Sequence, residues 1–301
     1  MSWKITALAP ADVVRAALVA HEDAEDWDFS IVLGGGQSDP ARPDDWQLEA
    51  WLEREPDAAD KAAIAALFAD GAPDLLVTEL ADADWVTLSQ EGVEPIREGP
   101  FHVRTPDHPA AAGVRDFVIP ASQAFGTGHH ETTSGCLAML AHMKAQGLVV
   151  RNLADIGTGT GLLAFAALHV WPRARATASD IDAVCGPVVA ENAALNGIAL
   201  GDGPGKLAMV IAPGMEHALL RAAAPYDLLI ANILAGPLAE LAPEFADAVV
   251  PGGGVLLAGL LRAQESTVRS AYIRAGFNLR ARMVRGNWSI LWLRRRTAGK
   301  R

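Results

Sequence analysis

The segment 155–161 has the sequence Asp-Ile-Gly-Thr-Gly-Thr-Gly, in which an acid precedes three glycines at alternate positions. An apolar run that predicts a β-strand over 152–155 comes before the segment, and a run that predicts a helix over 162–169 follows it. Glycines let the backbone turn sharply and approach a ligand without Cβ atoms in the way. Because the helix N-terminus behind them offers free N–H groups, the segment predicts a nucleotide-binding turn.

The spacing of Gly157, Gly159 and Gly161 distinguishes between two kinds of nucleotide ligand. Dinucleotide enzymes use G-x-G-x-x-G, which would need a glycine where this chain has Leu162. The shorter spacing favours a ligand without a pyrophosphate, and Asp155 beside the turn can attract a cationic end. S-adenosylmethionine carries a sulfonium and an amino acid head, so we predict it as the cofactor.

A second acid lies where such a site needs one. In folds of this kind an acid about 20 residues beyond the turn, at the end of the next strand, accepts hydrogen bonds from the ribose hydroxyls. Asp180 ends a strand predicted over 175–180 and is followed by Ile181 and Asp182. The alternative interpretation is a glycine-rich strand-helix turn with a chance acid nearby.

Strand-like and helix-like segments alternate from residue 152 onward, which is typical of a parallel sheet with crossover helices. We predict seven strands there, over 152–155, 175–180, 207–211, 227–232, 254–259, 277–284 and 288–293. Helices are predicted over 162–169, 187–196, 237–250 and 265–275. The predicted fold class is α/β with a mostly parallel, Rossmann-like, seven-stranded sheet.

The first third of the chain predicts a separate, small α+β unit. Its predicted elements are a strand over 3–8, a helix over 11–21, a strand over 27–33 that ends at three glycines, a helix over 57–70 and a strand over 74–80. This order favours a ferredoxin-like domain. Prolines and glycines then break any long helix, so we predict a first domain over 1–95, a linker over 96–120 and a second domain over 121–301.

The two parts of the chain differ in charge. Residues 1–100 hold 22 Asp and Glu against 6 Lys and Arg, a formal charge of −16, whereas the remaining residues hold 14 against 19, a formal charge of +5. An acidic domain favours a basic partner and disfavours nucleic acid; the alternative is that its carboxylates only keep it in solution. We interpret the basic end, Arg294 to Arg296 with Lys300 and Arg301, as a solvated terminus.

The composition predicts a cytoplasmic protein. No apolar run reaches the ~18 residues that a membrane span needs, and the N-terminus lacks the apolar stretch and cleavage site of a signal peptide. The two cysteines, Cys136 and Cys185, are too few for a disulfide framework or a thiolate metal site. We predict that they are small core residues, and we expect no membrane partner.

Two further segments carry a family resemblance. Residues 124–133 have the sequence Ala-Phe-Gly-Thr-Gly-His-His-Glu-Thr-Thr, and residues 231–238 have the sequence Ala-Asn-Ile-Leu-Ala-Gly-Pro-Leu. Together with 155–161 and 179–182, they resemble the PrmA family, which methylates protein eleven of the large ribosomal subunit. The resemblance spans 117–276 and implies a class I methyltransferase domain joined to an N-terminal substrate-recognition domain.

The resemblance also implies site residues. By motif position, Thr133, Gly157, Asp180 and Asn232 are expected to contact the cofactor. Asn232 ends a predicted central strand, where open α/β sheets place ligands, and its amide can donate and accept; a buried strand-end turn is the alternative. The hydroxyl of Thr133 can also donate and accept, although Thr132 or Thr133 fits equally well as the N-cap of the following helix.

Two local differences bear on the substrate. Where the family has G-T-G-T-H-P-T-T, this chain keeps His130 but has His129 and Glu131 on either side of it. After the fourth strand, Asn232 is followed by Ile-Leu rather than by the N-P-P-Y of methyltransferases that act on planar amides or adenine. The second difference argues against those substrates.

The predicted reaction is methyl transfer from S-adenosylmethionine to a lysine ε-amine or an N-terminal α-amine of a basic protein. An in-line displacement depends mainly on alignment of the reacting atoms, and the amine must first lose a proton, since lysine has a pKa of about 10.4 in water. His129, His130 and Glu131 are the candidates that orient or deprotonate it. No third ligand with suitable spacing accompanies the histidines, so no metal is predicted.

Three other functions compete with this interpretation. A related lysine methyltransferase would act on the β subunit of the electron-transfer flavoprotein. A nucleotide-binding regulatory module would keep the fold without catalysis, and a small-molecule methyltransferase would have no use for an acidic domain. A PrmA-like enzyme with large-subunit ribosomal protein eleven as substrate accounts for more of the chain.

Overall fold

The chain folds into two compact units, Met1–Glu91 and Gly92–Arg301. The computed structural model describes residues 2–22, 27–28, 31–38, 42, 44–52, 54–80, 94–120 and 130–297. Among the described helices, none has both the length and the apolar character needed to cross a bilayer.

The first unit is a four-stranded sheet with two helices. Its described elements are β1 (Ser2–Pro10), α1 (Ala11–Glu22), β2 (Val32–Gln37), β3 (Asp45–Leu52), α2 (Ala58–Ala66) and β4 (Leu75–Leu80). The strand order is β2-β3-β1-β4, and every neighbouring pair is antiparallel. Two interleaved β-α-β connections of this kind make the ferredoxin-like domain that the sequence predicts.

The sequence interpretation misses β3 and misplaces β2. A strand is predicted over 27–33, but β2 begins at Val32 and continues through the three glycines. A Cβ on Gly34 would lie 2.9 Å from the Trp51 ring of β3, so the glycines allow that ring to pack against β2. In β3, buried apolar residues alternate with polar and aromatic ones, and the polar residues hide the alternation in the sequence.

The second unit contains two sheets. The small sheet consists, in spatial order, of β5 (Ile96–Glu98), β6 (Phe101–Arg104) and β7 (Arg115–Val118). The large sheet consists of β8 (Asn152–Ile156), β9 (Arg175–Asp180), β10 (Ala199–Leu200), β11 (Lys206–Ile211), β12 (Tyr226–Asn232), β13 (Val249–Leu261), β14 (Phe277–Arg285) and β15 (Trp288–Arg295). Its order is β10-β11-β9-β8-β12-β13-β15-β14; β15 is antiparallel to both neighbours, and the other pairs are parallel.

Helices cover both faces of the large sheet. They are α3 (His130–Ala145), α4 (Leu162–Val170), α5 (Cys185–Leu195), α6 (Ala218–Ala223), α7 (Ala235–Glu240), α8 (Ala242–Ala248) and α9 (Glu265–Arg274). Buried residues of α3, α4 and α5 pack on one face, and those of α6 to α9 pack on the other. The predicted α/β architecture is therefore confirmed, as is the burial of Cys136 and Cys185.

All seven strands predicted for the large sheet are present, and β10 is an addition at its edge. The single helix predicted over 237–250 is wrong. The chain forms α7 and α8 instead, because Pro243 lies in the first turn of α8 and lacks the N–H that a continuous helix needs. Residues 249–250 already belong to β13.

The segment 96–120, which the sequence predicts as a linker, is part of the core of the second unit. Phe101 and Phe117 are fully buried in the same apolar cluster as α3 and α4. The side chain of Asn196 accepts from the Val118 N–H at 2.8 Å and donates to the Val118 carbonyl at 2.7 Å. The four prolines of the segment lie outside its three strands, where a missing N–H breaks no ladder.

Arg294 and Arg295 end β15 and Arg296 follows it; Arg294 and Arg296 are exposed to solvent, as predicted, although all three side chains are hydrogen-bonded to the main chain. Three guanidiniums donate to main-chain carbonyls, Arg294 to Gly252, Arg295 to Val249 and Arg296 to Ile273. These bonds satisfy carbonyl groups where β13 begins and α9 ends. Lys300 and Arg301 lie outside the described residues.

We expect a fragment of residues 92–301 to fold alone and a fragment of residues 121–301 to fail. The shorter fragment loses the packing of Phe101 and Phe117, and truncation of one buried Phe costs about 3–5 kcal/mol, which approaches the whole stability of a domain. Calorimetry checks this, because the longer fragment should give one cooperative transition and the shorter fragment none. A cooperative transition of the shorter fragment at the temperature of the longer one would restore the linker interpretation.

Candidate active site

A cleft of about 760 Å³ opens at the carboxyl edge of the large sheet. Residues at the ends of four parallel strands line it: Gly157 after β8, Asp180 of β9, Ala212 after β11 and Asn232 of β12. Open parallel sheets bind ligands at this edge, and the volume lies in the range of small-molecule sites. The cleft is therefore the candidate site.

Five of the seven residues predicted to bind the cofactor line the cleft. They are Thr133, Gly157, Gly159, Asp180 and Asn232. Asp155 and Gly161 are not among the described residues of its wall. The structure thus brings together five residues that lie up to 99 positions apart in the sequence. The environments of Asp155 and Gly161 are different and are described below.

Two glycines of the turn serve different purposes. Gly157 has a φ of +71°, and a Cβ there would lie 2.2 Å from Cγ2 of Ile233, so only glycine lets β8 and the end of β12 approach. Gly161 has a φ of +86° and precedes α4, where a Cβ would lie 2.7 Å from the Phe165 ring. Gly161 therefore permits the entry into α4 and does not face the cleft.

Asp155 is buried beneath the turn rather than exposed beside it. One carboxylate oxygen accepts from the Thr158 hydroxyl at 2.7 Å and from the Ala164 N–H at 3.1 Å. Burial, helped by the nearby charge of Asp180, raises the pKa of the Asp155 carboxyl to about 7 against these hydrogen bonds. Asp155 therefore fastens the turn to α4, which corrects the expectation that it faces the cationic end of the ligand.

The Asp180 carboxylate joins the turn after β8 to the loop after β9. One oxygen accepts from the Gly159 N–H at 2.8 Å, and the other accepts from the Asp182 N–H at 3.1 Å. The side chain is half-buried and lines the cleft. Because a carboxylate has about four acceptor sites, Asp180 retains capacity for ligand hydroxyls.

Thr133 and Asn232 lie in the wall at the positions that the sequence predicts for cofactor contacts. Thr133 is buried together with Thr132, and both line the cleft. Since α3 begins at His130, both threonines lie inside the helix, and the N-cap interpretation of either is wrong. Asn232 ends β12 and is half-buried, so its amide can reach both the cleft and the sheet edge.

The three candidates for handling the proton are only partly described. His129 lies outside the described residues, and His130 is described only as the first residue of α3. Glu131 is exposed and is not among the described residues that line the cleft. Its carboxylate lies beside Gly286, in the turn between β14 and β15. Their roles stay predictions.

Several lining residues escape the sequence interpretation. Ile181 is 73 % exposed although it is large and apolar, and Pro213 follows the end of β11. Both could be found by applying the strand-end rule to every parallel strand. Trp288 also lines the cleft, but its position depends on β15 running antiparallel, so that its first residue lies at the carboxyl edge. No local pattern shows this.

The charge of the wall limits the ligands that it can hold. No Lys, Arg or His occurs among the described lining residues, whereas Asp180, Asp182 and Glu240 do. A polyphosphate would meet carboxylates there without a compensating cation, while a ligand with a sulfonium and an ammonium would be attracted. The wall supports the inference that the ligand lacks a pyrophosphate.

The order β11-β9-β8-β12-β13 with β15 and β14 at one end, and a glycine turn at the carboxyl edge, define a class I methyltransferase fold. The predicted cofactor of this class, S-adenosylmethionine, suits the wall described above. A family model described as ribosomal protein L11 methyltransferase (PrmA) matches residues 13–296. The chain belongs to this family, and the predicted resemblance and enzyme class are confirmed.

Relatives agree with the family match. The chain is 38% identical over 256 residues to the ribosomal protein L11 methyltransferase of Agrobacterium fabrum, covering 84% of this chain and 85% of the relative. It is 39% identical over 258 residues to that of Caulobacter sp. strain K31, covering 83% of each. A crystal structure of ribosomal protein L11 methylase from Lactobacillus delbrueckii subsp. bulgaricus is 28% identical, with a TM-score of 0.56, covering 67% of this chain and 98% of that one. The flavoprotein and regulatory alternatives gain no support.

The raised pKa of Asp155 predicts a pH dependence of stability that Asp155→Asn removes. Because the folded pKa lies above the unfolded one, the stabilisation is complete below pH 4 and is lost as the pH rises through about 7. The free energy of unfolding of the wild type, minus that of the variant, should fall by about 3 kcal/mol between pH 5 and pH 8. Urea unfolding at several pH values measures this difference.

Asp116→Asn is the matched control for that experiment. Burial opposes ionisation of Asp116, but hydrogen bonds from His102 and Arg104 outweigh it and lower the pKa of the carboxyl. Asp116 is therefore ionised in both states above pH 5, and its difference should stay flat. A flat difference for Asp155→Asn as well would show that the Asp155 carboxyl ionises normally.

Proposed function

We propose that this protein methylates ribosomal protein L11, on lysine ε-amino groups, the N-terminal α-amino group or both, with S-adenosylmethionine as the methyl donor. The family match over 13–296 carries the proposal, because it spans both units rather than the cofactor domain alone. The names of the relatives from Agrobacterium fabrum and Caulobacter support the same substrate.

Five side chains or backbone positions hold the cofactor in this proposal: Thr133, Gly157, Gly159, Asp180 and Asn232. The turn at Gly157 and Gly159 supports it, since both residues line the cleft and have positive φ angles. Asp180 accepts from the ribose hydroxyls while it keeps the Gly159 N–H in place. Gly161 and Asp155 do not contact the cofactor in this proposal; they join the turn to α4.

Apolar contacts complete the nucleoside part of the site. The exposed side chain of Ile181 and the ring of Pro213 follow neighbouring strands and offer apolar surface to the adenine. Burial of Ile181 by the bound ring removes its surface from water, at about 25 cal/mol per Å². This contribution explains why a large apolar side chain is tolerated in water at that position.

The chemistry needs little from the protein beyond alignment. The bound cofactor supplies an electrophilic methyl group on a sulfonium. Asn232 and Thr133 orient the incoming amine from the wall, and one of His129, His130 and Glu131 accepts its proton. The carboxylates of Asp182 and Glu240 at the cleft attract a cationic side chain before it loses that proton.

The first unit recognises the substrate protein in this proposal. Residues 1–91 contain 20 acids but only 5 bases, so most carboxylates have no cation of their own unit to pair with. Three of the bases already pair with acids of the unit, Lys4 with Glu49, Arg42 with Asp45 and Arg54 with Asp60. The remaining negative field favours docking of a basic protein and accelerates its association.

Asp180→Ala should weaken cofactor binding strongly without unfolding the chain. Loss of a charged acceptor for two ribose hydroxyls costs about 3 kcal/mol, on the order of 100-fold in the dissociation constant. Titration calorimetry with S-adenosylmethionine measures it. Asp202→Ala is the control, since this exposed carboxylate pairs with Arg175 on the surface and is not among the described residues that line the cleft. Binding by the Asp180 variant as tight as by this control would contradict the assignment.

Removal of residues 1–91 should spare cofactor binding but remove methylation of L11. The fragment 92–301 keeps every described residue of the cleft, whereas it loses the docking energy that the acidic unit supplies, about 100-fold or more in kcat/KM. Mass spectrometry of purified L11 after incubation with each enzyme counts the added methyl groups and locates them. Full-rate methylation by the fragment would remove the recognition role of the first unit, and absence of methylation by the whole chain would contradict the substrate.

A further inference from the structure

The carboxylate of Glu98 connects two elements that wall the cleft, although Glu98 is not among the described lining residues. Its Oε2 accepts from the Ser134 hydroxyl at 3.0 Å and from Nη2 of Arg285 at 2.9 Å. Glu98 ends β5 of the small sheet, Ser134 belongs to α3 and Arg285 ends β14. Three segments that are distant in the sequence therefore meet at one oxygen atom.

Each donor to Glu98 is next to residues of the cleft wall. Ser134 directly follows Thr132 and Thr133, which both line the cleft. Arg285 precedes the turn that leads to Trp288, another lining residue. Loss of the Glu98 carboxylate can therefore alter the positions of Thr133 and Trp288, because each donor is only one to three residues away from one of them.

The helix α3 packs closely on β15, and the bonds to Glu98 add a defined geometry to this contact. The contact runs through Gly135, where a Cβ would lie 2.4 Å from Cδ1 of Ile290 and 3.5 Å from Cγ of Arg285. Buried side chains of α3 also pack on this strand, and the His142 ring lies edge-on to the Trp292 ring, with 6.1 Å between their centroids. Apolar contact is non-directional, whereas hydrogen bonds require a defined distance and angle.

The ion pair between Arg285 and Glu98 is expected to fix the direction of the two side chains and to add little to the stability of the fold. The side chains of Arg285 and Glu98 are 39% and 24% exposed, so solvent screens their attraction. The Nε of Arg285 is buried and has no hydrogen-bond partner among the described residues. Without Glu98 the guanidinium would lose the acceptor described for its Nη2, beside the hairpin that carries Trp288.

We propose that Glu98 is a positioning residue for cofactor binding: it holds the first turns of α3 and the β14-β15 hairpin in the arrangement that forms the cofactor cleft. The inference rests on the cofactor site proposed above. Glu98 acts through Ser134 on Thr133 and through Arg285 on Trp288, without touching the cofactor itself.

Titration calorimetry of the full chain with S-adenosylmethionine tests this role. Glu98→Ala removes both bonds and should raise the dissociation constant about tenfold. Ser134→Ala removes one bond and should raise it about threefold. Glu98→Gln keeps a carbonyl oxygen that accepts from both donors, so it should restore the wild-type value within about twofold.

Asp116→Asn is the matched control. Asp116 is a carboxylate of the same small sheet that accepts from His102 and Arg104 of β6, and these bonds reach neither α3 nor the hairpin. This variant should unfold at a lower temperature but bind with the wild-type dissociation constant. Misfolded protein lowers the number of sites per chain and leaves the dissociation constant of the folded fraction unchanged, so the two effects are separable in one titration.

The outcomes separate this inference from the proposed site. Wild-type affinity in Glu98→Ala, a tenfold loss in Asp116→Asn, or a loss in Glu98→Gln as large as in Glu98→Ala would each overturn the role of Glu98. If Glu98→Ala does not fold, Ser134→Ala decides, and wild-type affinity there overturns the inference. Failure of the wild type itself to bind S-adenosylmethionine would contradict the cofactor site instead.

Discussion

The hydrogen bonds to the buried carboxylate of Asp155 are the constraint on which the cleft depends. They join the end of β8, the turn at Thr158 and the first turns of α4 at Ala164. Three glycines at alternate positions would otherwise give this stretch a large conformational freedom. The fastening is costly, since burial raises the pKa of Asp155 to about 7, and the cleft is therefore built on a group that is partly protonated near neutral pH.

Two further carboxylates, those of Asp180 and Asp182, fix the loops next to this turn. Asp180 bonds the Gly159 N–H and links β8 to β9, and Asp182 accepts from the Val184 N–H where α5 begins. Each acid satisfies loop N–H groups that the sheet leaves without partners. The same groups make the wall negative, so the loops are ordered by the charges that select a cationic ligand. The same carboxylates therefore order the loops at this edge of the sheet and favour a ligand of positive charge.

Local patterns in the sequence predict seven of the eight strands of the large sheet and five residues that line the cleft, because strand periodicity and the strand-end rule need only neighbours in the chain. They fail where position depends on distant contacts. Asp155 has the right spacing, but spacing does not say that its side chain turns inward. Residues 96–120 look like a linker because their burial depends on α3, α4 and Asn196. Trp288 reaches the cleft only because β15 reverses direction.

Segregation of charge within the second unit explains how a part of the chain with excess base can receive a basic substrate. Its bases concentrate where the parallel strands begin, as at Arg151, Arg175 and Lys206, and the arginines 294–296 bond carbonyls around the same edge. The acids of the cleft lie where those strands end. Strands of five or six residues separate the two edges by about 17–20 Å, which exceeds the Debye length of about 8 Å at physiological ionic strength. A cationic side chain that approaches the cleft therefore meets the field of Asp180, Asp182 and Glu240, while the bases at the opposite edge are screened.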